Sequence, residues 1–234
     1  MNLSNKFKKK ICIVSTSRAE LGIIRNLVIK LQKVKKFETD LILTDPHLIN
    51  DGGKKIKKEV DEYKFKNFQF IKISSLSQNP LEISNRSSDL LNKISRVFNK
   101  KKYNLLIILG DRYETLIISY CAALHRIPIC HLSGGDETIG SYDNLFRHAI
   151  SQFADFHFVT NHLSKKKLLK MDISKNNIFN YGSLSVENIK FNKFISKEKI
   201  ENQLNISLRK KNFIVTFHPE TNLGNNLDKI KILL

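Results

Sequence analysis

Short, wholly apolar runs alternate along this chain with longer stretches in which apolar residues recur every three or four positions. The first run, Ile11-Cys12-Ile13-Val14, lies between a Lys cluster and the polar turn Ser15-Thr16-Ser17-Arg18. Unbroken apolarity over so few residues predicts a strand buried on both faces, as in a parallel sheet. From Glu20 the period changes, and Leu21, Ile24, Leu27, Val28 and Leu31 fall on one helical face. A second strand is expected over residues 40–44, followed by a polar loop with His47 and Gly52-Gly53. Residues 54–63 read as a charged, solvent-facing helix, and residues 68–73 as a further strand. Leu90, Leu91, Ile94, Val97 and Phe98 share another helical face.

The strongest buried strand is Leu105-Leu106-Ile107-Ile108-Leu109, which stops at Gly110-Asp111-Arg112. A helix over 116–124 then leads to a strand over 127–131 and the turn Ser133-Gly134-Gly135-Asp136. A helix starting near Asp143 and a strand over 156–160 follow. Strands alternating with helices predict a doubly wound α/β domain of the Rossmann type, here placed over residues 1–160. Residues 161–234 read as a linking helix (163–171) and the start of a second Rossmann-like domain. That second unit would have strands at 178–181 and 213–217, a helix at 197–208 and an amphipathic helix opening at Asp228. The sequence ends on Ile230-Lys231-Ile232-Leu233-Leu234, aliphatic residues that need a surface to cover, which favours an N-terminal fragment of a two-domain protein.

Composition adds limits. Of 234 residues, 41% are hydrophobic and 26% charged, which excludes collagen-like, low-complexity and wholly disordered chains. Cys12, Cys121 and Cys130 sit in apolar runs without Cys-x-x-Cys spacing, so they read as reduced, buried thiols of a cytoplasmic protein. No apolar stretch approaches the roughly 20 residues that span a bilayer, and no signal h-region follows the Lys-rich start. A net charge of +18 suggests nucleic acid or anionic lipid as partner. Its lysines are scattered, however, and neither aromatic interleaving nor a recognition motif accompanies them, so neither nucleic acid nor membrane is expected.

Candidate chemistry lies just after strands, where open α/β sheets bind ligands. The turn Ser15–Arg18 enters a helix whose N-terminal N–H groups suit a diphosphate, although a plain N-cap turn explains this feature as well and is favoured on it alone. Asp111, followed by Arg112 and Glu114, reads evenly as a catalytic base or as a helix N-cap. His131, Ser133, Asp136 and Glu137 crowd around Gly134-Gly135, with Asp143, Arg147 and His148 shortly after. Carboxylates beside His and Arg at strand ends push each other's pKa values apart, which proton transfer requires. Arg147 and His148 are placed to share a helix face with Asn144. His218 follows the 213–217 run, whereas His125, His157 and His162 read as structural or surface residues. No metal-ligand spacing, Walker or Gly-x-Gly-x-x-Gly pattern occurs, so no metal or cofactor is expected.

These motifs resemble the UDP-N-acetylglucosamine 2-epimerase family, and more closely its hydrolysing branch. The matching pieces are Ser15-Thr16-Ser17-Arg18-Ala19-Glu20, Asp45-Pro46-His47-Leu48-Ile49, Gly110-Asp111-Arg112-Tyr113-Glu114 and His131-Leu132-Ser133-Gly134-Gly135-Asp136. Asp143, Arg147-His148-Ala149-Ile150, Gly182-Ser183 and Val215-Thr216-Phe217-His218-Pro219 continue them in register. The resemblance implies a GT-B-like pair of Rossmann domains with a nucleotide sugar in the cleft between them. It also implies a chemistry: removal of the C2 proton, anti elimination of the nucleotide to a glycal, and addition of water at C1. By position, Asp111 and Asp143 match acidic residues used in proton transfer or positioning. Arg18 matches a diphosphate-binding arginine and His218 a histidine near the diphosphate, and both are expected to act here. His47, Arg112, Ser133, Glu137, Arg147, His148 and Ser183 complete the expected substrate-binding set.

Two departures qualify the resemblance. Family members often have a glutamate where this chain has Ser133, a loss that Asp136 or Glu137 is expected to offset. Family members also run further and hold most of their uridine and ribose contacts in the part missing here. A homo-oligomer is expected of the full-length protein. The alternatives are a GT-B glycosyltransferase, which transfers the sugar to an acceptor, and a silent fragment that only binds a partner.

Overall fold

The computed structural model describes residues 8–44, 53–73, 79–191 and 194–217. His47, His218 and the amphipathic helix expected from Asp228 lie outside the described residues. Seven parallel strands form one sheet in the order β3-β2-β1-β4-β5-β6-β7. They are β1 (Lys9–Ser15), β2 (Phe37–Thr44), β3 (Phe68–Ile71), β4 (Leu105–Leu109), β5 (Ile129–Leu132), β6 (Phe156–Val159) and β7 (Ile178–Asn180). The connecting helices are α1 (Arg18–Lys33), α2 (Lys54–Glu62), α3 (Pro80–Lys101), α4 (Tyr113–Leu124), α5 (Asp143–Phe153) and α6 (His162–Lys170), with α7 (Leu184–Phe191) and α8 (Lys197–Leu204) beyond β7.

Each central strand feeds two cores because successive side chains point to opposite faces. Cys12 and Val14 of β1 pack with Leu90, Ile94, Ile118 and Ile150 of α3, α4 and α5. Ile11 and Ile13 of the same strand pack with Leu21, Ile24 and Val28 of α1 and with Ile56 and Val60 of α2. The α2 segment is therefore not wholly solvent-facing: its charges surround two fully buried aliphatic side chains. The three cysteines are free and buried, and burial pushes the Cys130 thiol up to about 12. Among the described residues, no helix is long and apolar enough to cross a membrane.

Beyond Thr160 the chain departs from expectation. Residues 161–180 add a strand to the first sheet, with β7 running parallel to β6 and Val159 opposite Asn180. The expected linking helix is α6, whose Leu168 packs between Val159 and Ile178. The 213–217 run is not a strand: Phe213, Ile214 and Val215 are exposed, and no described strand pairs with them. Strands need a neighbour to satisfy their backbone, and apolar composition alone supplies none.

Strand order reverses between β1 and β4, so the loops leaving these two strands diverge and open a crevice at the carboxyl edge. Asp111, Arg112 and Asp143, candidate site residues from the sequence, lie at this edge.

Candidate active site

Asp111 leaves β4 and does not cap the helix that follows. The N-cap of α4 is Arg112, without any side-chain cap bond, and the Asp111 carboxylate instead accepts a hydrogen bond from the Arg147 guanidinium. Arg147 comes from α5 and is buried. It also donates to the Asp136 carbonyl at 2.7 Å and to Asn144 Oδ1, one helical turn back, at 2.9 Å. One side chain thus ties the β4 loop, the β5 loop and α5 together.

Asp143 is the first residue of α5. Burial raises its pKa most, and the negative charge of Asp111 raises it further, against Arg112, a Ser141 hydrogen bond and Arg147. The two carboxylates therefore share one electrostatic environment, with both arginines beside them. Arg112 forks onto Glu114, its Nε and Nη2 lying 3.1 and 3.0 Å from the two carboxylate oxygens. That bidentate geometry fixes the plane of the guanidinium.

His131 holds this edge rigid. It is fully buried, with Nε2 2.8 Å from the Gly110 carbonyl and Nδ1 3.1 Å from the Ser151 hydroxyl. A carbonyl only accepts, so Nε2 carries the proton of the neutral ring. Burial lowers the pKa to about 3 and keeps the ring neutral. His131 is thus a pin between the β4 and β5 loops. Gly134 allows it, since a Cβ there would stand 2.9 Å from His131 Nδ1.

The remaining expectations divide. At the helix N-terminus the Ser17 cap takes up the N–H of Glu20, the plain N-cap that the sequence favours. Glu20 Oε2 accepts from Thr16 N at 2.5 Å and from Ser17 N at 3.2 Å, while Ser17 Oγ accepts from Glu20 N. This is a capping box. Arg18 is half-exposed and points at Glu59 of α2, 3.7 Å away. Asp136 is a brace: its Oδ1 accepts from Thr160 Oγ1 at 2.6 Å and from the Ser164 hydroxyl of α6. Glu137 is exposed and pairs with Lys167 at 3.6 Å, on the flank of α6. His148 keeps a buried Nδ1 without a hydrogen-bond partner, and burial and Lys167 lower its pKa.

Ser133 and Ser183 line the mouth of a groove of about 910 Å³. Its floor is the face of β4 to β6 between α1 and α7, with Ile107, Leu132 and Phe158. Ser133 itself is held in the left-handed region (φ 62°), and its N–H donates to the Phe158 carbonyl. A non-glycine residue there stores strain of about 1–3 kcal/mol, and such strain clusters at functional sites. Among the described residues, no group of three His, Cys, Asp or Glu is placed to hold a metal ion. Sequence reasoning missed Glu20 and Glu114 as parts of the site. The signal for Glu20 was present in Ser17-x-x-Glu20, which reads only as a helix start until the loops are seen together.

Comparison with known proteins fits this geometry. Residues 29–234 match the family described as UDP-N-acetylglucosamine 2-epimerase. The GDP/UDP-N,N'-diacetylbacillosamine 2-epimerase (hydrolyzing) of Campylobacter jejuni is 36% identical over 231 residues, 97% of this chain and 59% of the relative. Polysialic acid biosynthesis protein P7 of Escherichia coli is 33% identical over 216 residues, 91% of this chain and 54% of the relative. The chain therefore spans little more than half the length of these curated relatives. In fold it is similar to the UDP-GlcNAc 2-epimerase from Neisseria meningitidis bound to UDP-GlcNAc, with a TM-score of 0.67 at 19% identity. That likeness covers 84% of this chain and 52% of the solved one, and accords with a GT-B-like Rossmann sheet. With its match running through the β4 loop and α5, which hold Asp111, Asp143 and Arg147, the chain belongs to the UDP-N-acetylglucosamine 2-epimerase family.

Proposed function

We propose that the full-length protein is a hydrolysing 2-epimerase of a UDP-linked N-acetylated hexosamine, giving the free 2-epimer and UDP. The observation that carries this reading is the convergence of Asp111 and Asp143 beside Arg112 and Arg147 at the switch point of the sheet. Base-assisted elimination needs one carboxylate to take the C2 proton. As the C1–O bond breaks, its electron pair leaves with the diphosphate and a C1–C2 double bond forms. Water then adds at C1, and a proton returns to C2 on the opposite face. An Asp held in an ion pair next to an Asp pushed toward its protonated form supplies a base and an acid side by side. Arg112, exposed on one edge, and Arg18 supply positive charge for the departing diphosphate. Asp136 and Arg147 act by positioning the loops.

The Campylobacter relative's name points to N-acetylated sugars. In this reading His218 and His47 also serve substrate binding or catalysis, a second Rossmann-like domain completes the nucleotide site, and the full-length protein is a cytoplasmic homo-oligomer. Incubation of the full-length protein with UDP- and GDP-acetamido sugars in deuterated water, followed by product NMR, tests it. The expected product is a free sugar labelled at C2. An unlabelled product excludes elimination, and sugar transfer to an acceptor without release makes the protein a glycosyltransferase.

A further inference from the structure

A single buried side chain ties α7 to α1. Asn188 donates from Nδ2 to the Gly22 and Ile23 carbonyls of α1, each at 2.9 Å, and its Oδ1 accepts from Asn26 Nδ2 at 2.6 Å. A helix carbonyl keeps a second lone pair beyond the one its own ladder uses, so α1 takes these donors without losing a bond. Lys30 of α1 adds an ion pair with Glu187 and lies over the Phe191 ring, 5.4 Å from its centre. Apolar packing contributes less. Leu184 packs against the core beside α1, whereas Val186, Ile189 and Phe191 are exposed. Hydrophobic contact is non-directional, so the amide decides where α7 sits. Sliding α7 along α1 by one residue would bury that amide without its partners, which is costly.

Helix α7 in turn carries Ser183. The Ser183 carbonyl accepts from Glu187 N at 3.1 Å, and its Oγ accepts from Ser185 N at 3.2 Å. Ser183 is thereby locked to the first turn of α7, just after Gly182 (φ 87°) turns the chain out of the sheet. Ser183 and Ser133 line the same groove, which Leu27 and Leu31 of α1 border on one side and Val186 and Phe191 of α7 on the other.

We propose that Asn188 is a positioning residue for substrate binding: its amide sets the register of α7 on α1 and so holds Ser183 at the groove mouth, where Ser183 meets the nucleotide sugar. Asn188 acts only through that serine. With an apolar side chain in its place the two helices stay in contact but are free to slide, and Ser183 leaves its place.

Because it rests on the nucleotide-sugar reading above, this role is tested by steady-state sugar release from the full-length protein, using the UDP- or GDP-acetamido sugar it turns over fastest. Asn188→Leu exchanges the amide for an apolar group of similar size and is expected to raise KM several-fold with kcat nearly unchanged. Ser183→Ala is expected to raise KM as well. The double variant should be no worse than Ser183→Ala alone, since both changes act through one contact. Asn26→Ala removes one of the three bonds and should shift KM the same way by less; it takes the place of Asn188→Leu should that variant not fold. A residue that only stabilises the fold would lower Tm and leave KM alone. An unchanged KM in the position-188 variant (or its substitute) or in Ser183→Ala, or additive effects in the double variant, overturns the role of Asn188 and leaves the nucleotide-sugar reading standing. No turnover of any of these sugars by wild type overturns that reading, and the role of Asn188 with it.

Discussion

Arg147 grips the carboxylate of Asp111 from across the β4–β5 edge, although the two lie 36 positions apart in the chain. Because the same guanidinium also reaches the Asp136 carbonyl and Asn144, the acidic residue and two loops are set by one side chain.

Arg147→Ala should therefore injure stability and chemistry together. Breaking a buried pair by removing one partner costs roughly 3–5 kcal/mol, and the partial exposure of Asp111 reduces that to about 2 kcal/mol here. Arg147→Lys restores charge without the fork, so it should recover more stability than turnover. Urea unfolding beside steady-state sugar release reads the two effects separately.

Asp111→Asn and Asp143→Asn should each reduce sugar release by about 10²–10⁴-fold in the full-length enzyme, with an unchanged circular dichroism spectrum. Wild-type turnover in either variant would remove that residue from the mechanism. As the acid of the pair Asp143 must hold its proton, so its raised pKa gives kcat a limb that falls as pH rises, with a midpoint above the usual carboxylate range. In Asp111→Asn the second-largest cause of that shift is gone, so the midpoint moves down.

Glu20 links stability to pH. Its folded pKa, about 7, exceeds the unfolded value of 4.5. Between these values the unfolded chain sheds a proton that the folded chain retains, so stability is fully present below about 4.5 and falls as pH rises toward about 7. The loss is on the order of 3 kcal/mol. Glu20→Gln should abolish this slope, and chemical denaturation at mildly acidic and mildly basic pH would show it.

Gly135 has φ 76°, and a Cβ on it would collide with the Ser164 carbonyl and stand 2.8 Å from Leu168 Cγ. The obstruction on one side is helix backbone, which has nowhere to go. Gly135→Ala should cost about 3 kcal/mol or more, by strain and by displacement of α6. A thermal scan would register it. An unchanged Tm would mean that the β5 turn and α6 do not meet as described.

Much of this architecture was legible in the order of residues. The apolar runs at Ile11–Val14 and Leu105–Leu109 are too short for helices and too continuous for one-faced strands, so a buried parallel sheet was the remaining solution. The switch-point logic then led to Asp111, and the helical offset of Asn144 and Arg147 appears as a 2.9 Å hydrogen bond. What stayed hidden depends on contacts between distant segments. Nothing local distinguishes Asp136, held by Thr160 and Ser164, from Asp143, left to the crevice. Nor does sequence tell that β7 extends the first sheet, because a three-residue strand has too little pattern to announce its neighbour. The apolar run at Phe213 misled for the converse reason: its composition is that of a strand, and its described surroundings hold no sheet edge for it.

The neutral imidazole pinned beneath Gly110 separates two responses to acid. From about pH 6.5 downward the unfolded chain protonates His131 while the folded interior refuses the proton until about pH 3, so acidification works against folding as a whole. Over that same interval the joint itself neither gains charge nor changes its bonds. His131 thus adds no titration of its own near neutrality, and its mark on the pH response is a loss of stability toward acid.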